Sequence, residues 1–398
     1  MDGFFPTFVV MEFPNKLAKK SRLRKENKAF RSLGVANSLI DFSSNDYLGF
    51  AKSETIFDVT HQYLIAQNSK VNGATGSRLL SGNHNLYELV EKQLADVHQS
   101  EAALVFNSGY DANIGFFSSV PQRGDVILYD EFIHASIRDG IQISNAKAYK
   151  FKHNNLADLS TLLERHSNGT DSPDEVYVVT EAVFSMDGDS PDLIAMSQMT
   201  EEYNAFFVVD EAHSVGVFGK NGVGKVQKLG LEKKVFARIV TFGKAMGCHG
   251  AVVLGSYELK AYLINFARSL IYTTGLAPHA LATIKIAYDF LINRDNEVRF
   301  AQQKLRDNIT FFRSEITRLA LASVFVNSTS AIHCCVIPGT LKAKSISQGL
   351  QEKGFDVKAI LAPTVALGHE RLRFCLHTYN SKEEMTKVLE ILRNFVIE

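Results

Sequence analysis

Lys244 stands in Val-Thr-Phe-Gly-Lys-Ala, just after an apolar run, and downstream of Asp210, which closes the run Phe206-Phe207-Val208-Val209. A lysine amine can condense with an aldehyde, and a carboxylate at a strand end can keep a pyridine nitrogen protonated. The pair is what pyridoxal phosphate (PLP) chemistry requires, in which the ring acts as an electron sink. At about 3 Å and an effective dielectric of about 20, a carboxylate–pyridinium pair is worth roughly 5 kcal/mol. A neutral partner would not hold that proton.

Other residues extend the pattern. His213, in Asp-Glu-Ala-His at 210–213, lies where it can bond a ring hydroxyl, and His134, at a strand-to-helix entry, can stack on a planar ring. Asn107-Ser108-Gly109-Tyr110 joins a strand to a helix, where glycine lets backbone amides approach a phosphate. Thr241 can add a hydroxyl to the same phosphate. Ser185, in Glu181-Ala-Val-Phe-Ser-Met-Asp-Gly-Asp189, falls on a loop after a strand, within reach of cofactor or substrate.

These residues need a scaffold that brings strand ends together. Short β-rich runs at 102–106, 125–129, 148–151, 175–180, 206–210, 239–242 and 251–255 alternate with helical patterns, which predicts a mostly parallel, doubly covered α/β sheet of seven strands. Ligands of such sheets collect at the carboxyl ends of the strands. A basic helix is predicted within 14–35, a short strand at 39–42, a long helical stretch from about 285 to 320, strands at 330–337 and 371–376, and a final helix from Ser381. The predicted division is an N-terminal segment (1–50), a large cofactor domain (51–285) and a small C-terminal α+β domain (286–398).

Composition narrows the classes. The chain has 398 residues, 45% hydrophobic and 22% charged, with 43 basic against 43 acidic side chains. Zero net charge supplies no global field for nucleic acid or an anionic membrane. Cys248, Cys334, Cys335 and Cys375 lack metal-type spacing and read as reduced thiols. Met1–Phe13 is apolar but lacks a basic n-region and contains Glu12, and no run approaches the roughly 20 apolar residues of a membrane span. The expected location is the cytoplasm, with translation starting at Met1 or Met11.

Five motifs occur in a telling order: Ser-Ser-Asn-Asp-Tyr-Leu-Gly (43–49), Gly-Ala-Thr-Gly-Ser-Arg (73–78), Thr-Glu-Ala-Val-Phe-Ser-Met-Asp-Gly-Asp (180–189), Asp-Glu-Ala-His (210–213) and Thr-Phe-Gly-Lys (241–244). Over essentially its whole length the chain resembles the α-oxoamine synthases, a branch of the fold-type I PLP enzymes. The stretches 266–274 and 363–365 resemble most the members that condense L-alanine with a pimeloyl thioester, carried by CoA or acyl carrier protein.

The resemblance implies that Lys244 anchors the cofactor and acts as general base, that His134 stacks on the ring, that Asp210 pairs with its nitrogen, and that His213 bonds its hydroxyl. Ser185 would touch the cofactor. Ser108, Gly109, Tyr110 and Thr241 would hold the phosphate, with Thr274 arriving from the partner subunit of a homodimer. Asn45 and Arg373, in preference to Arg371, would grip the amino-acid carboxylate. Arg24 would meet the acyl substrate and Thr364 would line its channel. One departure concerns specificity: Leu361 stands where these synthases often carry an arginine. Sister enzymes that use glycine or serine, an aminotransferase, and a non-catalytic PLP-fold protein are the rival readings.

Overall fold

The computed structural model describes residues 12–34, 38–167, 175–292 and 296–396. The leader call and the choice between Met1 and Met11 rest largely on residues 1–11, which lie outside the described residues.

Among the described residues there are twelve strands: β1 (Ile40–Asp41), β2 (Ala102–Phe106), β3 (Val126–Asp130), β4 (Lys147–Phe151), β5 (Val176–Glu181), β6 (Phe206–Asp210), β7 (Ala237–Thr241), β8 (Ala251–Gly255), β9 (Ile332–Val336), β10 (Phe355–Asp356), β11 (Lys358–Ile360) and β12 (Arg371–Cys375). Strands β2 to β8 form one seven-stranded sheet in the order β2-β8-β7-β6-β5-β3-β4. All its neighbours pair in parallel except those of β8, which runs antiparallel to both β2 and β7. Three of the seven strands keep the bounds expected from sequence, and the others move by one or two residues.

Alternation within the inner strands explains why both faces of the sheet are dry there, while edge strand β4 is largely exposed or half-buried. Val208 joins Val179, Ile127 and Ile239 on one face, against Phe116, Phe117 and Leu263 of covering helices. Phe207 and Val209 point the other way, with Val178 and Leu128, against Leu159, Leu163 and Met196. Sheets covered on both sides read as near-continuous apolar runs, which is why these strands were legible. The sheet's interior also holds an ion pair: Arg238 donates to Glu211 at 2.7 Å, with both side chains almost fully buried.

The C-terminal three-stranded sheet has the order β11-β12-β9 and is antiparallel. The two-residue strand β1 pairs in parallel with β10, and Cys375 donates its N–H to the Phe42 carbonyl. The start of the described chain is thereby stitched to its C-terminal part, and Asn45 to Tyr47 enter the interior beside β12. The helical stretch expected at 285–320 is two helices, Pro278–Ile292 and Asn296–Arg318, and the basic helix ends at Glu26. It has no buried residue, as its charge demands. No helix among the described residues is long and apolar enough to cross a membrane. Cys334, Cys335 and Cys375 are buried free thiols, and Cys248 is a partly buried one.

Candidate active site

Three neighbouring strand ends build the centre. Glu181 closes β5 and Asp210 closes β6 in direct register, while Lys244 lies three residues beyond β7. Asp210 accepts from Asn113 Nδ2 at 3.0 Å and from the Ala212 N–H at 2.9 Å. Both donors are neutral, so this nearly buried carboxylate has no direct counter-ion among the described residues. A cationic ring nitrogen is the kind of partner such a group accepts.

Lys244 Nζ lies 2.7 Å from His213 Nε2. Burial pushes the Lys244 amine down to about 8, against the opposing pull of Asp210 and Glu181. His213 is driven well below its ordinary range, by burial first and then by the charge of Lys244, Arg373 and His134. Its other nitrogen, Nδ1, meets the Tyr47 hydroxyl at 2.7 Å.

His134 caps the helix Ala135–Ile143 through Nδ1, which accepts from the Ser136 N–H. The residue is exposed, and desolvation lowers its pKa while Asp210 raises it. Glu181, which sequence reasoning placed only at a strand end, is fully buried with Oε1 unpartnered. Burial pushes its pKa well up, and the adjacent Asp210 charge adds to that. Asn113 was missed altogether, since nothing local distinguishes it from any polar residue within a helix.

The phosphate end is set by the helix Gly109–Ser119. A Cβ on Gly109 would come within 3.4 Å of the Thr241 side chain, so glycine and threonine leave a hollow at the helix N-terminus. Helix N-termini favour anions. Ser108 is already engaged: its hydroxyl accepts from the Asp111 N–H at 3.0 Å and donates to Asp111 Oδ2 at 2.8 Å. Replacing it with alanine should cost about 1 kcal/mol of stability, the usual worth of an N-cap. A denaturant melt checks this. Tyr110 is half exposed and donates to Asp139 at 2.8 Å. Thr274 is exposed, and its carbonyl accepts from Asn107 Nδ2 of the same chain at 2.7 Å.

Arg373 and Arg371 are separated by their partners. Arg371 is ion-paired with Asp187, whereas buried Arg373 has no carboxylate partner among the described residues and donates to neutral oxygens, the Ser185 carbonyl at 2.7 Å and Asn45 Oδ1 at 2.9 Å. Asn45 also accepts from Tyr47 at 3.1 Å. The Ser185 loop is held from its far side by His153, which bridges Asp130 at 2.9 Å and Asp189 at 2.8 Å. Burial disfavours charge on His153, but the two carboxylates prevail and lift its pKa to about 10. Neighbouring motifs gave no signal for it.

The expected acyl-substrate residues Arg24 and Thr364 are both exposed. Arg24 sits on the solvent-exposed helix Asn15–Glu26, with its guanidinium 3.5 Å from the Ala29 carbonyl. Thr364 is exposed and accepts from Arg31 Nη2 at 3.3 Å, a contact across the chain that sequence reasoning missed. Leu361 packs against the main core.

Comparison with known proteins agrees with this geometry. A model of the aminotransferase class I and II family matches residues 37–392. The chain is 38% identical over 403 residues to an 8-amino-7-oxononanoate synthase of Emericella nidulans, covering 96% of this chain and 95% of that protein. The chain belongs to this family, in its α-oxoamine synthase branch. The crystal structure of 8-amino-7-oxononanoate synthase from Francisella tularensis superposes with a TM-score of 0.76 at 29% identity, covering 91% of this chain and 99% of that one. A high-resolution structure of SPT with PLP gives a TM-score of 0.84 at 25% identity, covering 96% of both chains. The fold is fold-type I, and as a member of this branch the chain is a PLP-dependent enzyme.

Proposed function

We propose that this α-oxoamine synthase condenses L-alanine with a pimeloyl thioester, releasing the thiol and carbon dioxide to give 8-amino-7-oxononanoate, a step of biotin biosynthesis. The observation that carries the reading is Lys244, a partly buried amine 2.7 Å from His213 and beside an Asp210 that lacks a direct counter-ion among the described residues. The high identity to the Emericella synthase supports the choice of substrates.

The residues present fit PLP: Gly109 and Thr241 frame an anion hollow, Asp210 suits a ring nitrogen, His213 a ring oxygen, and the open face of His134 a planar ring. Ser185, Ser108 and Tyr110 border that space. Bound there, PLP supplies an electron sink for the bond broken at the amino acid's Cα.

The chain does the rest. Arg373, with Asn45, grips the amino-acid carboxylate, since a buried guanidinium satisfied only by neutral oxygens retains its charge for a planar anion. Lys244 Nζ removes the Cα proton and later returns one. Asp210 would pair with the ring nitrogen and hold its proton. Thr364 and Arg24 border the acyl path in this reading, and Thr274 of a second subunit completes the phosphate site of a cytoplasmic homodimer.

The pH dependence follows from Lys244. The amine must be neutral to accept a proton, and its pKa lies at about 8. Below that value kcat should rise about tenfold per pH unit, levelling off above it. A rate that falls as pH increases from 6 to 8 would oppose Lys244 as the base.

A sister reading, condensation of glycine or serine with another acyl thioester, is favoured by one observation: Leu361 offers no charge to the far carboxylate of a pimeloyl chain. Adding alanine, glycine and serine separately to holoenzyme and recording cofactor absorbance decides between them. Alanine alone should saturate the response at low concentration. A response confined to serine or glycine would replace this proposal, and complete conversion to pyridoxamine phosphate would point to an aminotransferase.

A further inference from the structure

His153 touches two carboxylates at once, Asp130 Oδ1 through Nδ1 at 2.9 Å and Asp189 Oδ2 through Nε2 at 2.8 Å. Ionised carboxylates only accept, so each ring nitrogen carries a proton and the ring is a cation. Its two partners belong to different parts of the site. Asp130 ends β3 and also takes the N–H groups of Phe132 at 2.8 Å and Asn154 at 2.9 Å, which fixes the turn leading to His134. Asp189 closes the loop that carries Ser185, and Asn154 Nδ2 donates to the same Asp189 oxygen at 2.7 Å.

That loop is tied to itself as a single unit: the Phe184 N–H donates to the Asp189 carbonyl at 3.0 Å and the Gly188 N–H to the Phe184 carbonyl at 2.8 Å. Its crest lies on the C-terminal sheet. Ser328 and Ser330 donate to the Gly188 carbonyl at 2.8 and 2.9 Å, and a Cβ at Gly188 would overlap the Ile332 carbonyl. From the same loop the Ser185 carbonyl accepts from Arg373 Nε at 2.7 Å, while Asn45 Oδ1 accepts from Nη2 at 2.9 Å. Two bonds at different nitrogens fix the plane of a guanidinium, so the position of the loop decides where Arg373 points.

We propose that His153, backed by Asn154, is a positioning residue: it clamps the 184–189 loop to the end of β3, so that the Ser185 carbonyl aims Arg373 at the amino-acid carboxylate. The inference rests on the role of Arg373 in the proposed function. No step of the chemistry passes through His153, so loosening the clamp should weaken binding of the amino acid and spare the turnover of the bound complex.

Two variants loosen it from either side. His153→Phe keeps ring contacts with Phe132 and Phe184, whose centroids lie 4.4 and 4.5 Å away, and removes both bonds to carboxylates. Asp189→Ala removes the loop's anchor and leaves His153 paired with Asp130. Cofactor absorbance of holoenzyme reads the dissociation constants of L-alanine and of L-alaninol, its analogue without a carboxylate, and thiol release gives kcat and KM. In either variant the L-alanine dissociation constant and KM should rise about tenfold, the size of one charge-assisted hydrogen bond. The L-alaninol affinity and kcat should change by less than about threefold, because only carboxylate binding is lost. The double variant should bind L-alanine no worse than Asp189→Ala, since both changes cut one link. Where His153→Phe does not fold, Asp189→Ala decides. Wild-type affinity for L-alanine in Asp189→Ala overturns the proposal, as does an equal loss for both ligands or a fall in kcat with KM unchanged. Wild-type enzyme that binds L-alaninol as tightly as L-alanine would remove the reading of Arg373 itself, a failure seen before any substitution is made.

Discussion

Lys244→Ala should lower kcat for thioester-dependent condensation by at least about 10³-fold, while leaving the melting temperature within a few degrees of wild type. The loss is large because in the proposed chemistry one amine would serve two purposes, anchoring the cofactor and moving the Cα proton, and general base catalysis alone is worth about 10²–10⁴-fold. Stability should hold because the side chain is partly buried, bonded to neutral His213, and destabilised as a cation by its surroundings, which is the meaning of a pKa lowered to about 8. Rapid-quench measurement of thiol release checks the first part and calorimetry the second. Full activity in this variant would remove Lys244 from the chemistry.

Asp210→Asn keeps the shape of the side chain but loses the charge and, with a single acceptor oxygen, one of the two bonds from Asn113 and Ala212, and its kcat should fall by about 10²–10³-fold. The magnitude comes from the roughly 5 kcal/mol of a close carboxylate–pyridinium pair at an effective dielectric of about 20, part of which is offset by the desolvation of the buried carboxylate. The affinity for PLP should fall less, because the hollow at Gly109 and Thr241 is untouched. Titrating cofactor into the apo variant separates the two effects. A variant with normal kcat and abolished cofactor binding would assign Asp210 a purely anchoring role.

The sheet was legible in the sequence because strands buried on both faces write continuous Val, Ile and Phe runs, as at Phe206–Asp210. Lys244, Asp210 and His213 were legible because their positions at strand ends repeat a known order of motifs. What local sequence did not convey is which polar residues fold onto these. Asn113 supports Asp210 from within a helix, and Tyr47 reaches His213 across 166 positions of chain. His153 became a cation only when the end of β3 brought Asp130 to it and the loop after β5 brought Asp189. The choice of Arg373 over Arg371, made from the motif, acquired a physical reason from their partners: one guanidinium is already paired with a carboxylate, and the other is not. Arg24 and Thr364 came from resemblance alone, and the structure places both on exposed surface, with Arg31 rather than Arg24 against Thr364.

The central claim is that this site joins L-alanine to a dicarboxylate-derived acyl thioester. The most direct measurement is thiol and carbon dioxide release by holoenzyme given L-alanine with pimeloyl-CoA, pimeloyl-acyl carrier protein, or palmitoyl-CoA. Equimolar thiol and carbon dioxide are expected with a pimeloyl donor, and a rate at least tenfold lower with palmitoyl-CoA. Thiol release that requires palmitoyl-CoA, or that proceeds with serine and not with alanine, would contradict it.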